Sequence, residues 1–196
     1  FYPSPMADWG YDVADYCDVD PRFGTLDDFD TLIDGAHRLG LRILVDLVPN
    51  HSSDAHPWFR DAITGRDSDH RDYYIWADPS PDGGPPNNWV AYFGGPAWTL
   101  DPASGQYYMH LFLPEQPDLN WRNPAVVDEF DRILRFWLDR GVGGFRIDVA
   151  GALVKDDLLR SNPQIGPWDP TAGRYEQWLA FDHRHDVFQP ESHDVF

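Results

Sequence analysis

Two short apolar runs, each preceded by an amphipathic helix pattern, constrain the fold of this chain more than any other sequence feature. The runs span residues 41–48 and 142–150, and both are rich in branched side chains. Short runs of this kind are typical of strands that are buried on both faces. Helix–strand units with short turns produce parallel strands, so the pattern predicts an α/β fold.

The boundaries of the two helix patterns are marked by capping residues. Thr25 is a candidate N-cap for the first helix, and Gly40 is a natural stop. Asn123 and Pro124 mark the start of the second helix, which Gly141 closes. The predicted order is therefore helix, strand, connection, helix, strand.

The connection between the two units spans residues 51–122 and is rich in Gly, Pro, Asn and Asp, with aromatic residues between them. Residues 107–112 are a candidate strand within it. Connections in compact domains have a median of about 4–6 residues, so this one is anomalous as a loop. We interpret it as a small inserted subdomain.

Three charged residues lie toward the carboxyl ends of the two predicted strands: Asp46, Arg146 and Asp148. Arg146 and Asp148 are two residues apart and therefore share one strand face. A neighbouring guanidinium lowers the pKa of a carboxylate, which suits a nucleophile that must be ionised. A buried ion pair with a purely structural role is the alternative, and the spacing alone does not separate the two.

Asp46, Asn50 and His51 form a second cluster, at the end of the first strand and on the following loop. They could hydrogen-bond a polyhydroxylated substrate or ligate a metal. Taken alone, the cluster favours a simpler interpretation, in which Asn50 caps a turn and His51 is a satisfied loop histidine. A third cluster, residues 182–186, could suggest a metal site, but its spacing favours a solvated helix end.

Aromatic residues are abundant and lie close to these polar clusters in the sequence. Carbohydrate sites combine flat aromatic surfaces with carboxylates and amides. The alternative is that the rings only fill the small core of a loop-rich subdomain. The candidate aromatic residues are Trp9, Tyr11, Trp89, Phe93, Trp98, Phe112 and Trp121.

Charge and composition argue against several partners. With 33 acidic and 15 basic side chains, the net charge of −18 is unsuited to nucleic acid or an anionic membrane. A single cysteine, Cys17, excludes an internal disulfide framework. No apolar run approaches the ~18 residues of a membrane span, and no signal peptide is visible. We expect a cytoplasmic location and no obligate protein partner.

Several ordered motifs together resemble the α-amylase family of glycoside hydrolases, in its oligo-1,6-glucosidase and α-glucosidase branch. The resemblance covers residues 1 to about 155. The motifs are Asp8–Asp12 with Phe23–Thr25, Asp46–Ser53, Asn87–Trp89 with Phe93–Trp98, Gln116–Trp121 and Gly144–Asp148.

The resemblance implies a retaining hydrolase of α-glucosidic bonds. Asp148 would be the nucleophile, Arg146 would hold it ionised and oriented, and Asp46 would pair with Arg146. Asn50 and Asp118 would have supporting roles. No metal or other cofactor is implied, because the family's calcium loop would lie upstream of this chain.

The same resemblance implies how a sugar would be bound. His51 and Asp8 would hydrogen-bond the sugar in the reacting subsite, and Tyr11 would stack under its ring. Phe93 and Phe112 would line the pocket. The substrate would be a short malto- or isomalto-oligosaccharide. Val149 resembles the choice for α-1,6 bonds, whereas its wider context resembles enzymes acting on α-1,4 bonds.

The implied fold is part of a (β/α)8 TIM barrel, from the end of strand 2 to before strand 5. Residues 1–50 and 123–196 would belong to the barrel, and residues 51–122 would be subdomain B, inserted after strand 3. The 196 residues fall short of the ~250 that such a barrel needs.

Two carboxylic acids that the resemblance implies have no matching segment. These are the general-acid glutamate and a later aspartate that follows a histidine. Glu191 and the pair His193–Asp194 occur in the wrong context. We therefore expect a partial chain that is inactive when made alone. The alternatives are a trehalose-forming or other transglycosylating enzyme, and a catalytically dead barrel that acts as a binding subunit. The retained Asp148 and Arg146 disfavour the latter.

Overall fold

The computed structural model describes residues 1–195, so Phe196, the end of the predicted 123–196 segment, lies outside the described residues. No helix within residues 1–195 is long and apolar enough to cross a membrane. The helices are α1 (Leu26–Arg38), α2 (Pro57–Ala62), α3 (Pro124–Asp139) and α4 (Arg174–Leu179). The strands are β1 (Leu44–Leu47), β2 (Trp76–Ala77), β3 (Trp98–Asp101), β4 (Gln106–Met109) and β5 (Gly144–Ile147).

Strands β1 and β5 pair in parallel, and their register places Asp46 opposite Arg146. Each follows one of the predicted helices. Thr25 caps α1 through a reciprocal capping box with Asp28, and Asn123 caps α3. The predicted helix starts and the parallel arrangement are therefore confirmed.

The expectation that both strands are buried on both faces is wrong. Val45 and Leu47 are buried against the helices, whereas Leu44 is 62% exposed and Arg146 is also exposed. Successive residues of a strand point to opposite faces, and only one face of this pair is covered by α1 and α3. The other face is open over the described residues. Both strands are also shorter than the apolar runs suggested.

The core that covers the closed face of the pair is rich in aromatic rings. Trp137 of α3 packs edge-on against Phe29 of α1, with ring centroids 4.9 Å apart. Its indole nitrogen donates to the carbonyl oxygen of Tyr16 at 2.8 Å. These contacts join the amino-terminal loop to both helices.

The segment between the two units contains its own small sheet. Strand β4 pairs antiparallel with both β2 and β3. The candidate strand at 107–112 corresponds to β4, which begins one residue earlier and ends at Met109. An antiparallel bridge joins His51 to Asp118, and Leu119 donates its amide to Asn50 at 2.9 Å. The two ends of this long segment therefore lie side by side.

The carboxyl-terminal segment packs against the segment that carries the small sheet. Asn88 and Asn162 exchange two hydrogen bonds between side chain and main chain, at 2.9 and 2.8 Å. The prediction of a solvated helix end at residues 182–186 is wrong. Asp186 is fully buried and pairs with His183 at 2.8 Å. The ring of Trp178 stacks on the other partner, His183.

Candidate active site

Asp46, Arg146 and Asp148 meet at the carboxyl ends of β1 and β5. The Nη1 group of Arg146 donates to both carboxylate oxygens of Asp46 at 2.9 Å. It also lies 2.6 Å from Oδ1 of Asp148. The register of the two strands explains the first contact, because it places Asp46 and Arg146 side by side.

The pKa of Asp148 moves in the direction opposite to the sequence-based expectation. Arg146 lowers it, but burial of the carboxyl group is the larger effect, and the pKa is raised above its usual value. The side chain of Asp148 is only 19% exposed. The negative charges of Asp46 and Asp8 also raise it. Local spacing predicted the guanidinium but could not predict this degree of burial.

The backbone turns sharply directly after Asp148. The amide of Asp148 donates to the carbonyl oxygen of Leu47 at 2.8 Å, which continues the ladder beyond the strand. Val149 then adopts a left-handed conformation, with φ of 44°. This region is unfavourable for a β-branched residue, so the chain is strained beside the candidate nucleophile.

Tyr11 and Asp8 approach the ion cluster from the amino-terminal loop. The hydroxyl of Tyr11 donates to Asp46 at 3.2 Å, and its ring is partly exposed. Asp8 accepts from the Gln116 amide at 3.0 Å, and burial raises its pKa. The buried carboxylate of Asp12 accepts the main-chain amides of Ala7 and Asp8, which fixes this loop.

His51 is 1% exposed, and both of its ring nitrogens have partners. Nδ1 lies 3.1 Å from the Asn50 amide nitrogen, and Nε2 lies 3.1 Å from the carbonyl oxygen of Tyr11. Nε2 also lies 3.0 Å from the amide nitrogen of Gln116, so its neighbours include both a carbonyl acceptor and an amide donor. Burial lowers the pKa of His51 to about 4, so the ring is neutral near pH 7.

Asn50 and Asp118 belong to a buried network centred on Lys155. The ammonium group of Lys155 donates to Asn50 Oδ1 at 2.8 Å, lies 2.6 Å from Asp118 Oδ2, and contacts the carbonyl oxygen of Ala152. The Asn50 amide donates to Asp118 at 3.1 Å. Asn50 therefore joins two loops, rather than capping a turn. The sequence analysis missed Lys155, although a lysine directly after an apolar stretch was a usable signal.

Phe112 and Phe93 form the aromatic wall beside His51. The Phe112 ring centroid is 5.0 Å from that of His51 and 5.8 Å from that of Phe93. Trp89, Trp98 and Trp121 are instead buried, as the alternative interpretation of the aromatic residues expected.

The chemistry available at this cluster follows from its groups. A carboxylate held by a guanidinium can attack an electrophilic carbon. The partly exposed aromatic rings and the neutral imidazole beside it can bind a hydroxylated ring of the ligand. Within residues 1–195, no group of three or more His, Cys, Asp or Glu side chains is arranged to hold a metal ion. That finding includes the histidines of residues 182–186.

Comparisons with known proteins agree on one family. The model of the alpha-amylase catalytic domain matches residues 1–195. A probable alpha-glucosidase from Rhizobium meliloti is 50% identical over 195 residues, which are 98% of this chain and 35% of that protein. An oligo-1,6-glucosidase from Parageobacillus thermoglucosidasius is 46% identical, over 99% of this chain and 34% of that protein.

Structural similarity extends over the whole chain. The crystal structure of the α-glucosyl transfer enzyme XgtA superposes with a TM-score of 0.94 at 46% identity, covering 100% of this chain and 37% of that one. The chain thus spans about a third of the length of the relatives that it matches. The family model and these relatives together show that the chain belongs to the alpha-amylase catalytic-domain family.

Proposed function

We propose that this chain carries the nucleophile half of a retaining α-glucosidase active site, with Asp148 as the nucleophile. The observation that carries the proposal is the contact of Arg146 with both Asp148 and Asp46 at the ends of two adjacent parallel strands. Arg146 holds one oxygen of Asp148, and the cluster lies beside the open face of the strand pair.

In the proposed reaction, an oxygen of Asp148 attacks the anomeric carbon of an α-glucoside. The bond from that carbon to the glycosidic oxygen breaks, and the leaving oxygen takes a proton from a second carboxylic acid. Water then hydrolyses the glycosyl ester, so the configuration is retained. In retaining enzymes the two carboxyl groups lie ~5–5.5 Å apart.

The proton donor is proposed to come from residues outside this chain. Among the described residues, Glu191 is engaged with Arg122 at 3.2 Å. The described contacts of Asp148 involve Arg146 and the main chain, and the charges that act on its pKa are those of Arg146, Asp46 and Asp8. The chain covers about a third of its relatives, which leaves room for a donor elsewhere.

We further propose that β1 and β5 are the third and fourth strands of a (β/α)8 barrel and that residues 51–122 are its subdomain B. The parallel pairing and the position of the cluster at the strands' carboxyl ends support this arrangement. The exposed face of the pair would then point into the barrel.

In the proposed sugar site, Tyr11 stacks under the glucosyl ring, and Asp8 and His51 bind its hydroxyl groups. Phe93 and Phe112 form the wall. His51 would act from Nε2, which faces Tyr11 and Gln116 in this structure. Short malto- and isomalto-oligosaccharides are the proposed substrates, because the relatives include an alpha-glucosidase and an oligo-1,6-glucosidase. The proposal includes no nucleic acid, no membrane and no obligate protein partner.

A transglycosylating enzyme is the second candidate function, and the similarity to the α-glucosyl transfer enzyme XgtA favours it specifically. Both functions share the glycosyl-enzyme step, so product analysis separates them. A catalytically dead binding subunit would not need the ion cluster of Asp46, Arg146 and Asp148.

The experiment that tests the proposal uses the full-length protein. A 5-fluoro-α-glucosyl fluoride should trap a covalent adduct, and peptide mass spectrometry should locate it on Asp148. Asp148→Asn should lower kcat by at least about a thousandfold, because it removes the nucleophile. An adduct on another residue, or turnover by Asp148→Asn close to that of the wild type, would contradict the assignment.

A further inference from the structure

Four rings contact one another in sequence, starting from Phe112 of the aromatic wall, and we call them the ring column: Phe112, Tyr92, Trp178 and His183. Phe112 and Tyr92 have centroids 5.0 Å apart, Tyr92 and Trp178 stack at 3.9 Å, and Trp178 and His183 stack at 3.4 Å. The last two rings are nearly parallel, at 6°. The column begins at the ring that contacts His51 and ends in the carboxyl-terminal segment.

His183 is fixed at the far end of the column by two oxygen acceptors. Nε2 lies 2.8 Å from the carbonyl oxygen of Trp178, and Nδ1 lies 2.8 Å from Oδ2 of Asp186. A carbonyl oxygen only accepts, so Nε2 must donate to it. Asp186 is fully buried. Its charge, together with the larger effect of burial, raises the pKa of Tyr92 to about 12.

The helix that carries Trp178 also holds the turn after Phe93. The amide of Gly95 donates to Oε1 of Gln177 at 2.8 Å, and Gln177 in turn donates to the carbonyl oxygen of Ala172 at 2.8 Å. Gly94 and Gly95 both have positive φ, which allows the tight turn. One short helix therefore supports both residues of the aromatic wall, Phe93 through this turn and Phe112 through the ring column.

We propose that His183 and Asp186 are positioning residues for the sugar site and act through the stacked rings of Trp178 and Tyr92 to hold Phe112 against His51. This inference rests on the proposed function, because it takes Phe112 to be a wall of the glucosyl pocket. Neither His183 nor Asp186 touches the substrate. Their effect is on how well the pocket is formed before the sugar arrives, which governs binding more than the chemical step.

The test compares His183→Ala with His183→Phe in the full-length protein, using p-nitrophenyl α-glucoside. His183→Ala removes the terminal ring and both hydrogen bonds, and KM should rise about tenfold with kcat changed less than about twofold. His183→Phe keeps a flat ring over Trp178, and KM should return at least halfway on a logarithmic scale. His185→Ala is the matched control, because His185 lies in the same segment but outside the column.

A second readout follows the column directly. Trp178→Phe removes the fluorescence of that indole. The difference between the emission spectra of the parent protein and of Trp178→Phe is the emission of Trp178. His183→Ala should raise this emission, because a stacked imidazole that quenches the indole is removed. Unfolding temperatures of all variants are measured alongside, so that loss of folded protein is not counted as loss of binding.

The outcomes are distinct. A raised KM in His183→Ala, partial recovery in His183→Phe and no change in His185→Ala support the positioning role. An unchanged KM with a lowered unfolding temperature overturns it and leaves His183 as a structural residue only. A wild-type protein without turnover overturns the proposed function, and the assignment of Phe112 to a sugar pocket falls with it, whether or not the fluorescence shows the stack.

Discussion

At the scale of single residues, the site depends on opposing effects on Asp148. Burial and the neighbouring carboxylates raise its pKa, and Arg146 alone among the named neighbours lowers it. As the proposed nucleophile, Asp148 must be ionised to react, so activity should fall as the pH falls through this pKa. The acidic limb of the rate profile therefore reports directly on Arg146.

Arg146→Ala should move that acidic limb to higher pH. Without the guanidinium, the pKa of Asp148 rises further, by about one to three units for a lost adjacent charge. The measurement is kcat/KM against pH, followed on whatever activity remains. Arg146→Lys keeps the charge and should shift the limb less. Arg140→Ala, which removes a cation paired with Asp30 on α1, should not shift it. An unmoved limb in Arg146→Ala would refute this account of Asp148.

At the scale of elements, Lys155 contacts three connecting segments that lie outside the two sheets. Its ammonium contacts the loop after β1 through Asn50, the end of the inserted segment through Asp118, and the turn after β5 through Ala152. All three connections border the cluster at Asp148. A buried cation therefore adds to the main-chain contacts by which β1, β5 and the inserted segment meet.

Lys155→Met should lower the free energy of unfolding by about 3–5 kcal/mol, because it leaves the carboxylate of Asp118 buried without its cation. The double variant with Asp118→Leu should lose less than the sum of the single variants. Chemical denaturation of the full-length protein measures both. Arg135→Met, which breaks an exposed pair with Asp131, is the control and should leave the unfolding midpoint nearly unchanged. Strict additivity of Lys155→Met and Asp118→Leu would show that the two residues do not interact.

The elements also show what a sequence can and cannot predict. The capping of α1 by Thr25 and of α3 by Asn123 depends on residues one turn away, so the sequence predicted both. The partnership of Lys155 with Asn50 spans 105 residues, and that of Gln116 with Asp8 spans 108. No local pattern encodes such contacts. His183 was misjudged for a different reason. Its partners Trp178 and Asp186 are only five and three residues away, but Trp178 also stacks on Tyr92 of the inserted segment, and no spacing pattern predicts that contact.

At the scale of the whole molecule, the described residues include the proposed nucleophile but no proposed proton donor. The polypeptide of residues 1–196 made alone should show no α-glucosidase turnover, because the described contacts of Asp148 include no glutamate that could donate a proton. Release of p-nitrophenol by the purified polypeptide, compared with the full-length protein, checks this. Turnover within about tenfold of the full-length protein would mean that a proton donor has been overlooked.

The meeting of His51 with Asp118 has a consequence for how such a chain can change over evolution. Because the two ends of the inserted segment lie side by side, residues between them can be gained or lost without moving β1 relative to β5. Asp148, the proposed nucleophile, directly follows β5, whereas Phe93 and Phe112 lie in the inserted segment. Insertions and deletions within the segment could therefore reshape the proposed sugar pocket while Asp148 stays in place, so that substrate preference and chemistry would diverge independently.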